Sequence, residues 1–291
     1  MIKLLALDID GTTLNSKGEI TDGTRAAIRA AEDRGVLVTI ASGRRFRDAQ
    51  PIGRGLELNA PLVTHNGALL KYAESEETVH CSLLTTKSSL EIVRVGKDYG
   101  GDALVSTDPD GHGLLLYDRV SESNVPLKKY LRWSENLHGG EAGREGVSQV
   151  ESLEEAIPEQ QVVHISFSGT CDAMAAMMSV LGRELGNSVT ILPTIYPHWD
   201  FTLIDILPPD ASKGHGVGKL AEINGLAAEN VMAIGDNFND LEMLEYAGTP
   251  VVMGNADPGL LERGEFYTTL SNNEDGVAAA IDRFILNGDN L

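Results

Sequence analysis

The sequence predicts an α/β protein in which both ends of the chain build a doubly wound, Rossmann-like parallel sheet, with a smaller α+β domain inserted between them. Near both termini, short continuous apolar runs alternate with helical patterns, which is typical of parallel strands covered on both faces. In the middle of the chain, apolar and polar residues alternate within short runs. That alternation is typical of antiparallel strands with one covered face.

The amino-terminal elements are three predicted strands and two predicted helices. The runs that predict strands are Ile2 to Ile9, Val36 to Ala41 and Pro61 to His65. Thr21 is expected to cap a first helix that ends at Gly35. A second helical pattern extends from Arg47 to Leu58 and is disturbed by Pro51. Strands and helices that alternate in this way predict a parallel sheet.

The carboxyl-terminal elements repeat this order. Helices are predicted at Ser212 to Asn224, Asn239 to Ala247 and Asp275 to Leu286, and strands at Val231 to Ile234 and Val251 to Met253. Because the two ends share one pattern, we expect them to form one discontinuous core, residues 1–83 and 196–291.

The middle of the chain, residues 84–195, is predicted to be the inserted α+β domain. Its helical patterns are Ser88 to Tyr99 and Asp172 to Leu185, and its alternating runs are Leu114 to Tyr117 and Val162 to Phe167. The glycine-rich stretch from His138 to Gly146 is interpreted as a loop, and Pro193 to Pro197 as a linker.

Composition narrows the classes of function. The 291 residues carry a formal net charge of −20, which repels nucleic acid and anionic lipid, and only 5% are aromatic. No apolar run reaches the length of a spanning helix, and no secretory signal is recognised. Two cysteines are too few for a disulfide framework or a thiolate metal site. We therefore expect a cytoplasmic protein, monomeric or homodimeric, with a small-molecule partner.

The first predicted strand ends in two aspartates. Side chains alternate along a strand, so Asp8 and Asp10 are expected to share one face while Ile9 enters the core. Two like charges at a strand end imply a shared cation, and a carboxylate placed there could attack phosphorus. Gly11 lets backbone N–H groups approach an anion, so Gly11 and Thr12 are candidate phosphate-binding residues. The structural alternative is an acidic turn that closes the strand.

The next two strand ends carry further polar residues. Ser42, Gly43 and Arg44 follow the second strand, and a hydroxyl, a flexible residue and a cation suit a phosphoryl oxygen. An ordinary strand-to-helix turn is the alternative. Arg45 is expected to face solvent. Asn66 follows the third strand. Together with the glycine after it, Asn66 is interpreted mainly as part of a hairpin turn and only secondarily as a substrate contact.

Two late motifs complete the pattern. Lys213 opens a helix, where a free ammonium can help to hold an anion, although most lysines are solvated. After the strand Val231 to Ile234 come Asp236, Asn239 and Asp240, an oxygen-rich cluster that suits Mg²⁺. Asn239 or Asp240 is also expected to cap the following helix.

Taken together, the four motifs resemble those of the haloacid dehalogenase-like (HAD) phosphohydrolase superfamily. They read Asp-x-Asp-Gly-Thr, Ser-Gly-Arg, Lys-Gly and Gly-Asp-x-x-Asn-Asp in chain order. The large insertion between the second and third motifs resembles the cap of the Cof-type, class IIB branch. The resemblance implies a HAD-like core with an inserted cap domain.

The resemblance also implies roles for the first motif. Asp8 would be the nucleophile and a Mg²⁺ ligand. Asp10 would give its backbone carbonyl to the metal, and its side chain would protonate the leaving alcohol and then activate water. An acid/base at this position favours breakdown of an aspartyl phosphate, as in the phosphatases and mutases of the superfamily.

The remaining motifs receive roles in the same way. Ser42 would hydrogen-bond the transferring phosphoryl group, and Lys213 would balance its charge. Asp236 would complete the protein ligands to Mg²⁺. Asn239 and Asp240 would orient the metal waters and the lysine, and Asn239 is also a candidate phosphate-binding residue.

The function expected from this resemblance is a Mg²⁺-dependent phosphatase for small phosphate monoesters, such as a sugar phosphate, a nucleotide or a cofactor phosphate. A phosphomutase on the same fold is the first alternative. A receiver-like signalling module is the second, but it would not need Asp10 or an insertion of this size. The sequence does not select among the phosphate monoesters.

Overall fold

A computed structural model describes residues 1–137, 146–197 and 200–288, without the side chains of residues 135–137. The chain divides into two compact units. The first, called the core here, comprises residues 1–44, 49–79 and 212–291, and the second, called the insert, comprises residues 45–48 and 80–211. None of the helices in the described residues is long and apolar enough to cross a membrane.

The described chain forms fourteen strands and ten α-helices, numbered here in chain order. The strands are β1 (Leu4–Leu7), β2 (Leu37–Ile40), β3 (Leu62–Thr64), β4 (Leu69–Lys71), β5 (Thr78–Cys81), β6 (Ala103–Thr107), β7 (Leu114–Tyr117), β8 (Val147–Gln149), β9 (His164–Gly169), β10 (Thr190–Tyr196), β11 (Phe201–Leu207), β12 (Val231–Gly235), β13 (Thr249–Val252) and β14 (Tyr267–Thr268). The helices are α1 (Asp22–Asp33), α2 (Phe46–Leu56), α3 (Thr86–Asp98), α4 (Val125–Leu137), α5 (Leu153–Ala156), α6 (Cys171–Leu185), α7 (Lys213–Ile223), α8 (Leu241–Tyr246), α9 (Pro258–Glu262) and α10 (Gly276–Ile281).

The core is built on a five-stranded sheet in the order β14-β13-β12-β1-β2. All of its pairings are parallel, and β1 lies between β12 and β2, with Leu4 opposite both Val231 and Leu37. All four residues of β1 are fully buried, as a strand covered on both faces requires. The predicted parallel sheet is confirmed, and the carboxyl ends of β1, β2 and β12 meet at one edge.

The third predicted strand leaves this sheet. β3 touches the parallel sheet through a single bridge between Ala41 and Val63, and otherwise pairs antiparallel with β4 in a separate three-stranded sheet. His65, Asn66 and Gly67 all have positive φ angles, which turn the chain back on itself. The hairpin turn expected at Asn66 is therefore present.

The insert is an α+β unit, as predicted. Its six-stranded sheet has the order β10-β11-β9-β6-β7-β8 and is antiparallel except for the β7–β8 pair. Alternate residues such as Ile165 and Phe167 enter an apolar cluster with α3 and α6. Leu104 and Leu115, on two other strands, pack instead with α4.

The predicted linker from Pro193 to Pro197 is wrong. Residues 190–196 form β10, which pairs antiparallel with β11 along its whole length, and the insert therefore continues to Ala211. Pro193 fits because β10 is an edge strand, where a residue without an N–H group breaks no internal ladder. Apart from residues 45–48, the insert begins at His80. Of the predicted loop from His138 to Gly146, the residues up to Glu145 lie outside the described part of the chain.

Arg45 is buried, with 5% of its surface exposed, so the expectation that it faces solvent is wrong. Its Nε donates to Asp48 at 2.9 Å and its Nη2 donates to Ser134 at 2.6 Å, all within the insert. A buried guanidinium is stable only when such partners replace its water.

Candidate active site

The site lies in the core, at the edge where three parallel strands end. In open α/β sheets, this edge is where ligands bind. The segments that follow the strands carry the predicted residues, namely Asp8 to Thr12 after β1, Ser42 to Arg44 after β2 and Asp236 to Asp240 after β12. The first turn of α7 adds Lys213 to the same region, because its Nζ reaches Asp8.

Asp8 is a buried carboxylate, 5% exposed, held by a buried cation. Lys213 Nζ donates to Asp8 Oδ1 at 2.6 Å. Burial raises the pKa of Asp8 well above its ordinary value, and the charges of Asp240 and Asp236 raise it further, against the lowering effect of Lys213. Thr13 donates to the backbone carbonyl of Asp8 at 2.6 Å, so the backbone there is also fixed.

Lys213 bridges two carboxylates. Besides Asp8 it donates to Asp240 Oδ1 at 2.5 Å, and only 1% of its surface is exposed. Burial alone would lower the pKa of Lys213, but the charges of Asp240 and Asp8 raise it above the ordinary value, so the ammonium stays charged. Ser212 caps α7 by accepting from the backbone of His215 at 3.0 Å.

Asp236 lies in the loop after β12 and is oriented by hydrogen bonds from neighbouring residues. Thr12 Oγ1 donates to Asp236 Oδ1 at 2.9 Å. Asp240 Oδ2 accepts from the backbone N–H groups of Asp236 and Asn237 at 2.9 and 3.0 Å. Burial, followed by the charge of Asp240, raises the pKa of Asp236 to about 6. The loop therefore holds two acidic groups together at a cost that a cation would offset.

These carboxylates fit a hard divalent cation. Asp8, Asp236 and Asp240 each offer an oxygen, and the three oxygens lie within 4.8 Å of one another. Asp240 is already engaged by Lys213 and by two backbone N–H groups, which leaves Asp8 and Asp236 as the side chains facing a cation. A ligand set made only of oxygens suits Mg²⁺ rather than Zn²⁺.

Gly11 is required by the close packing of this loop. Its φ is +89°, and a Cβ there would lie 2.3 Å from Asp236 Oδ2. Asn255 Nδ2 donates to the Gly11 carbonyl at 2.8 Å, a contact that sequence reasoning missed. The available signal was position, because Asn255 follows the strand β13 as the other site residues follow theirs.

Asp10 differs from Asp8 although we expected the two to share a face. β1 ends at Leu7, so strand alternation no longer applies, and the Asp10 side chain is 62% exposed. Arg44 Nε donates to Asp10 Oδ2 at 2.9 Å, and Arg44 Nη2 donates to Asp10 Oδ1 at 2.6 Å. Arg44, which was predicted to contact phosphate, is thus hydrogen-bonded to Asp10 of the first motif.

The loop after β2 is tied to the turn after β3. Ser42 is buried, and its Oγ accepts from the Arg44 backbone at 3.1 Å. The Asn66 N–H donates to the Ser42 carbonyl at 3.0 Å, and a Cβ on Gly43 would lie 3.0 Å from Asn66 Oδ1. Ser42, Gly43 and Asn66 are therefore neighbours.

Asn239 is the predicted site residue that stands apart. It is exposed on the 3₁₀ turn Phe238–Asp240, and no hydrogen bond among the described residues joins its side chain to the rest of the site. Of the two residues expected to cap α8, Asp240 occupies the N-cap position, but its side chain makes no cap hydrogen bond to that helix. Asn237 caps the turn by accepting from the Phe238 N–H, while Asp240 bonds back to the backbone before it and makes no cap hydrogen bond to α8.

Comparison with known proteins adds family relationships to this geometry. A family model described as haloacid dehalogenase-like hydrolase matches residues 5–281. A 5-amino-6-(5-phospho-D-ribitylamino)uracil phosphatase of Bacillus subtilis is 30% identical, over 98% of this chain and 96% of its own. A pyridoxal phosphate phosphatase of Escherichia coli is 29% identical, over 96% of this chain and 97% of its own.

A solved structure shares the fold. The structure of a HAD subclass IIB sugar phosphatase superposes with a TM-score of 0.75 over 97% of this chain and 98% of its own, at 21% identity. The likeness extends over both the core and the insert, since it covers nearly the whole of each chain.

Proposed function

The chain belongs to the haloacid dehalogenase-like hydrolases, with the fold of their Cof-type, class IIB capped branch, and is a phosphoric monoester hydrolase; from this premise we propose a reaction for it. We propose that it hydrolyses small phosphate monoesters with Mg²⁺, through a phosphoryl group carried on Asp8. The observation that carries the proposal is the 2.6 Å contact between buried Lys213 and Asp8, with Asp236 beside them. Because Lys213 binds Asp8 Oδ1, the other oxygen of Asp8, Oδ2, is left for attack on phosphorus.

In the first step, an oxygen of Asp8 attacks phosphorus and the bond from phosphorus to the ester oxygen breaks. Asp10 gives its proton to that oxygen, which leaves as an alcohol. Lys213 fixes the Asp8 carboxylate and balances negative charge, which is the larger part of catalysis in phosphoryl transfer. In the proposed reaction, buried Ser42 and the N–H groups of the loop at Gly11 hold the phosphoryl oxygens.

In the second step, water attacks the phosphorus of the aspartyl phosphate. Asp10 takes a proton from that water, the bond between phosphorus and Asp8 breaks, and inorganic phosphate leaves. Asp8, Asp236 and the Asp10 carbonyl would hold Mg²⁺, with Asp240 beside the two carboxylates. When bound, the ion neutralises charge on the phosphoryl group and on the carboxylates.

The substrate is proposed only as a class. The two relatives named above act on a ribitylamino-uracil phosphate and on pyridoxal phosphate, which share little beyond the phosphate monoester. The residues described in the core recognise that shared group. We therefore propose a small phosphorylated metabolite, with a sugar phosphate, a nucleotide and a cofactor phosphate all within the class.

The proposal is tested by phosphate release from p-nitrophenyl phosphate by the purified protein. We expect release that stops on chelation, returns with Mg²⁺ and is lost in Asp8→Asn, whereas Asp33→Asn, an exposed acid in the same unit, changes nothing. Full turnover by Asp8→Asn would overturn the assignment. Isomerisation of a hexose phosphate without net phosphate release would instead identify a phosphomutase, and a long-lived phosphorylated Asp8 without turnover would identify a receiver-like module.

A further inference from the structure

The side chain of Arg44 holds both oxygens of Asp10. The two hydrogen bonds, 2.9 Å from Nε and 2.6 Å from Nη2, form a two-pronged contact of the guanidinium fork with the carboxylate. In the part of the chain that the structure describes, these are the hydrogen bonds made to the Asp10 side chain. The orientation of Asp10 therefore depends on Arg44.

This contact has little to contribute to stability. The Asp10 side chain is 62% exposed and that of Arg44 is 24% exposed, and ion pairs exposed to water stabilise a fold only slightly. What a two-pronged contact does provide is geometry, because it fixes the plane of the carboxylate. An exposed aspartate without it would sample several rotamers, and Gly11, next in the chain, offers it no restraint.

The sheet topology brings Asp10 and Arg44 side by side. β1 and β2 are adjacent and parallel, with Leu7 opposite Ile40, so the loops that follow them leave the sheet side by side. The Arg44 backbone is in turn anchored by its 3.1 Å hydrogen bond to Ser42 Oγ. Arg44 is thus positioned by the protein's own backbone.

We propose that Arg44 is a positioning residue that aims the Asp10 carboxyl at the oxygen of the leaving group. The inference rests on the proposed function, because Asp10 is the group that gives the proton to the ester oxygen. When one Asp10 oxygen carries that proton, the other still accepts from Arg44, so the carboxyl stays oriented while it delivers the proton. The contact with Arg44 also keeps the Asp10 carboxyl oriented in the second step, when Asp10 takes a proton from water.

The proposal differs measurably from the role expected from the sequence, in which Arg44 binds phosphate. If Arg44 bound phosphate, its loss would lower kcat/KM for every phosphate ester by a similar factor. Loss of proton delivery affects only esters whose leaving group needs a proton, such as alkyl phosphates, and spares 2,4-dinitrophenyl phosphate, whose leaving group departs as a stable anion. The ratio kcat/KM includes leaving-group departure but not the later hydrolysis of the aspartyl phosphate, so it isolates this step.

The experiment compares kcat/KM for an alkyl phosphate and for 2,4-dinitrophenyl phosphate in Arg44→Lys and Arg44→Gln. We expect both variants to lose about 10²-fold on the alkyl ester and less than about threefold on the dinitrophenyl ester, because misplaced catalytic groups cost rates of that order. Lysine keeps the charge but cannot make the two-pronged contact. In an Asp10→Asn background, the Arg44 substitutions are expected to add no further loss.

Arg29→Gln is the matched control, since it removes an exposed ion pair with Glu57 in the same unit. It should leave both esters unchanged. Equal losses on the two esters, no loss on either, or a further loss in the Asp10→Asn background would overturn the role of Arg44. A wild-type protein that hydrolyses neither ester would overturn the proposed function itself, which is a different result.

Discussion

Buried charged side chains in this protein are stabilised by partners, and the partner decides which form each group takes. Lys213 stays charged because two carboxylates surround it. His164 in the insert is the opposite case, because burial lowers its pKa below the ordinary value of 6.5, and the charge of Arg45 acts in the same direction. The charges of Asp205 and Asp48 only partly oppose this.

A pH-dependent stability follows from His164. Below about pH 6.5 the unfolded chain takes up a proton at this position that the folded chain does not, so the free energy of unfolding falls as the pH is lowered. The fall ends once the pH passes the lowered pKa of the folded state. We expect His164→Asn to flatten this part of the profile, and His112→Asn, an exposed histidine of the same unit, to leave it unchanged. Denaturant unfolding at about pH 7.5 and about pH 5.5 measures it, and equal pH slopes in wild type and His164→Asn would contradict the assignment.

At the residue scale, sequence reasoning identified the charged residues of the candidate site but not all of their contacts. The strand-end motifs named Asp8, Lys213 and Asp236, which the structure brings together. Arg44 reaches Asp10, and Arg45 is buried, because the direction of a long side chain depends on neighbours from distant parts of the chain. A motif indicates which residues meet and leaves open how they pair.

At the scale of elements, one turn positions the helix that carries Lys213. The turn His65–Gly67 follows β3, and Gly67 has a φ of +90°. A Cβ on Gly67 would lie 1.9 Å from the carbonyl oxygen of Ser212, the residue that caps α7. The start of α7 is thus set by backbone contact with this turn.

Gly67→Ala is expected to destabilise the core by at least about 2 kcal/mol, because it adds a left-handed backbone penalty to a backbone clash. It should also lower phosphatase activity, since Lys213 moves with the cap of α7. Gly55→Ala is the control. Gly55 is exposed in α2, with nothing within 4 Å of its Cβ position, so alanine should raise stability by about 0.5–1 kcal/mol. Thermal unfolding reports both changes, and a Gly67→Ala protein as stable as wild type would refute the role of the turn.

Elements with a strong local pattern were predictable, and those that depend on pairing were not. Thr21 caps α1 by accepting from the Thr24 N–H, as its position before an amphipathic run predicts. Residues 193–197 looked like a linker because Pro193 and Pro197 indicate a break, yet pairing with β11 makes residues 190–196 an edge strand. The helix predicted from Asp275 to Leu286 forms as α10 and then continues as a π-helix, Asp282–Leu286. The spacing of apolar residues does not distinguish an α-helix from a single π-helical turn.

For the whole molecule, the net charge of −20 means that acidic groups outnumber basic ones, and at the sheet edge Lys213 is held between two of them. Acidic groups repel one another throughout the chain, but Asp8 and Asp240 at this edge are buried, so their repulsion is screened least. A divalent cation bound by the folded state alone would therefore stabilise the fold.

We expect Mg²⁺ to raise the thermal midpoint of the wild-type protein beyond the effect of Na⁺ at equal ionic strength. At about 100 times the dissociation constant, the gain is about 2.7 kcal/mol. Asp236→Asn should lose the specific gain, whereas the exposed Asp33→Asn should keep it. Protons compete with the cation, so the gain should shrink below about pH 6, the pKa of Asp236. Equal midpoints in the two salts would count against a built cation site.

The central claim is that Asp8 carries the phosphoryl group, and trapping that group tests it most directly. In Asp10→Asn the hydrolysis of the aspartyl phosphate is slowed, while 2,4-dinitrophenyl phosphate still reacts because its leaving group needs no proton. Acid quench, digestion and mass spectrometry should find the peptide that contains Asp8 heavier by one phosphoryl group, and unmodified in Asp8→Asn. Release of dinitrophenol by the enzyme with no phosphoryl group on Asp8 at any quench time would contradict the account.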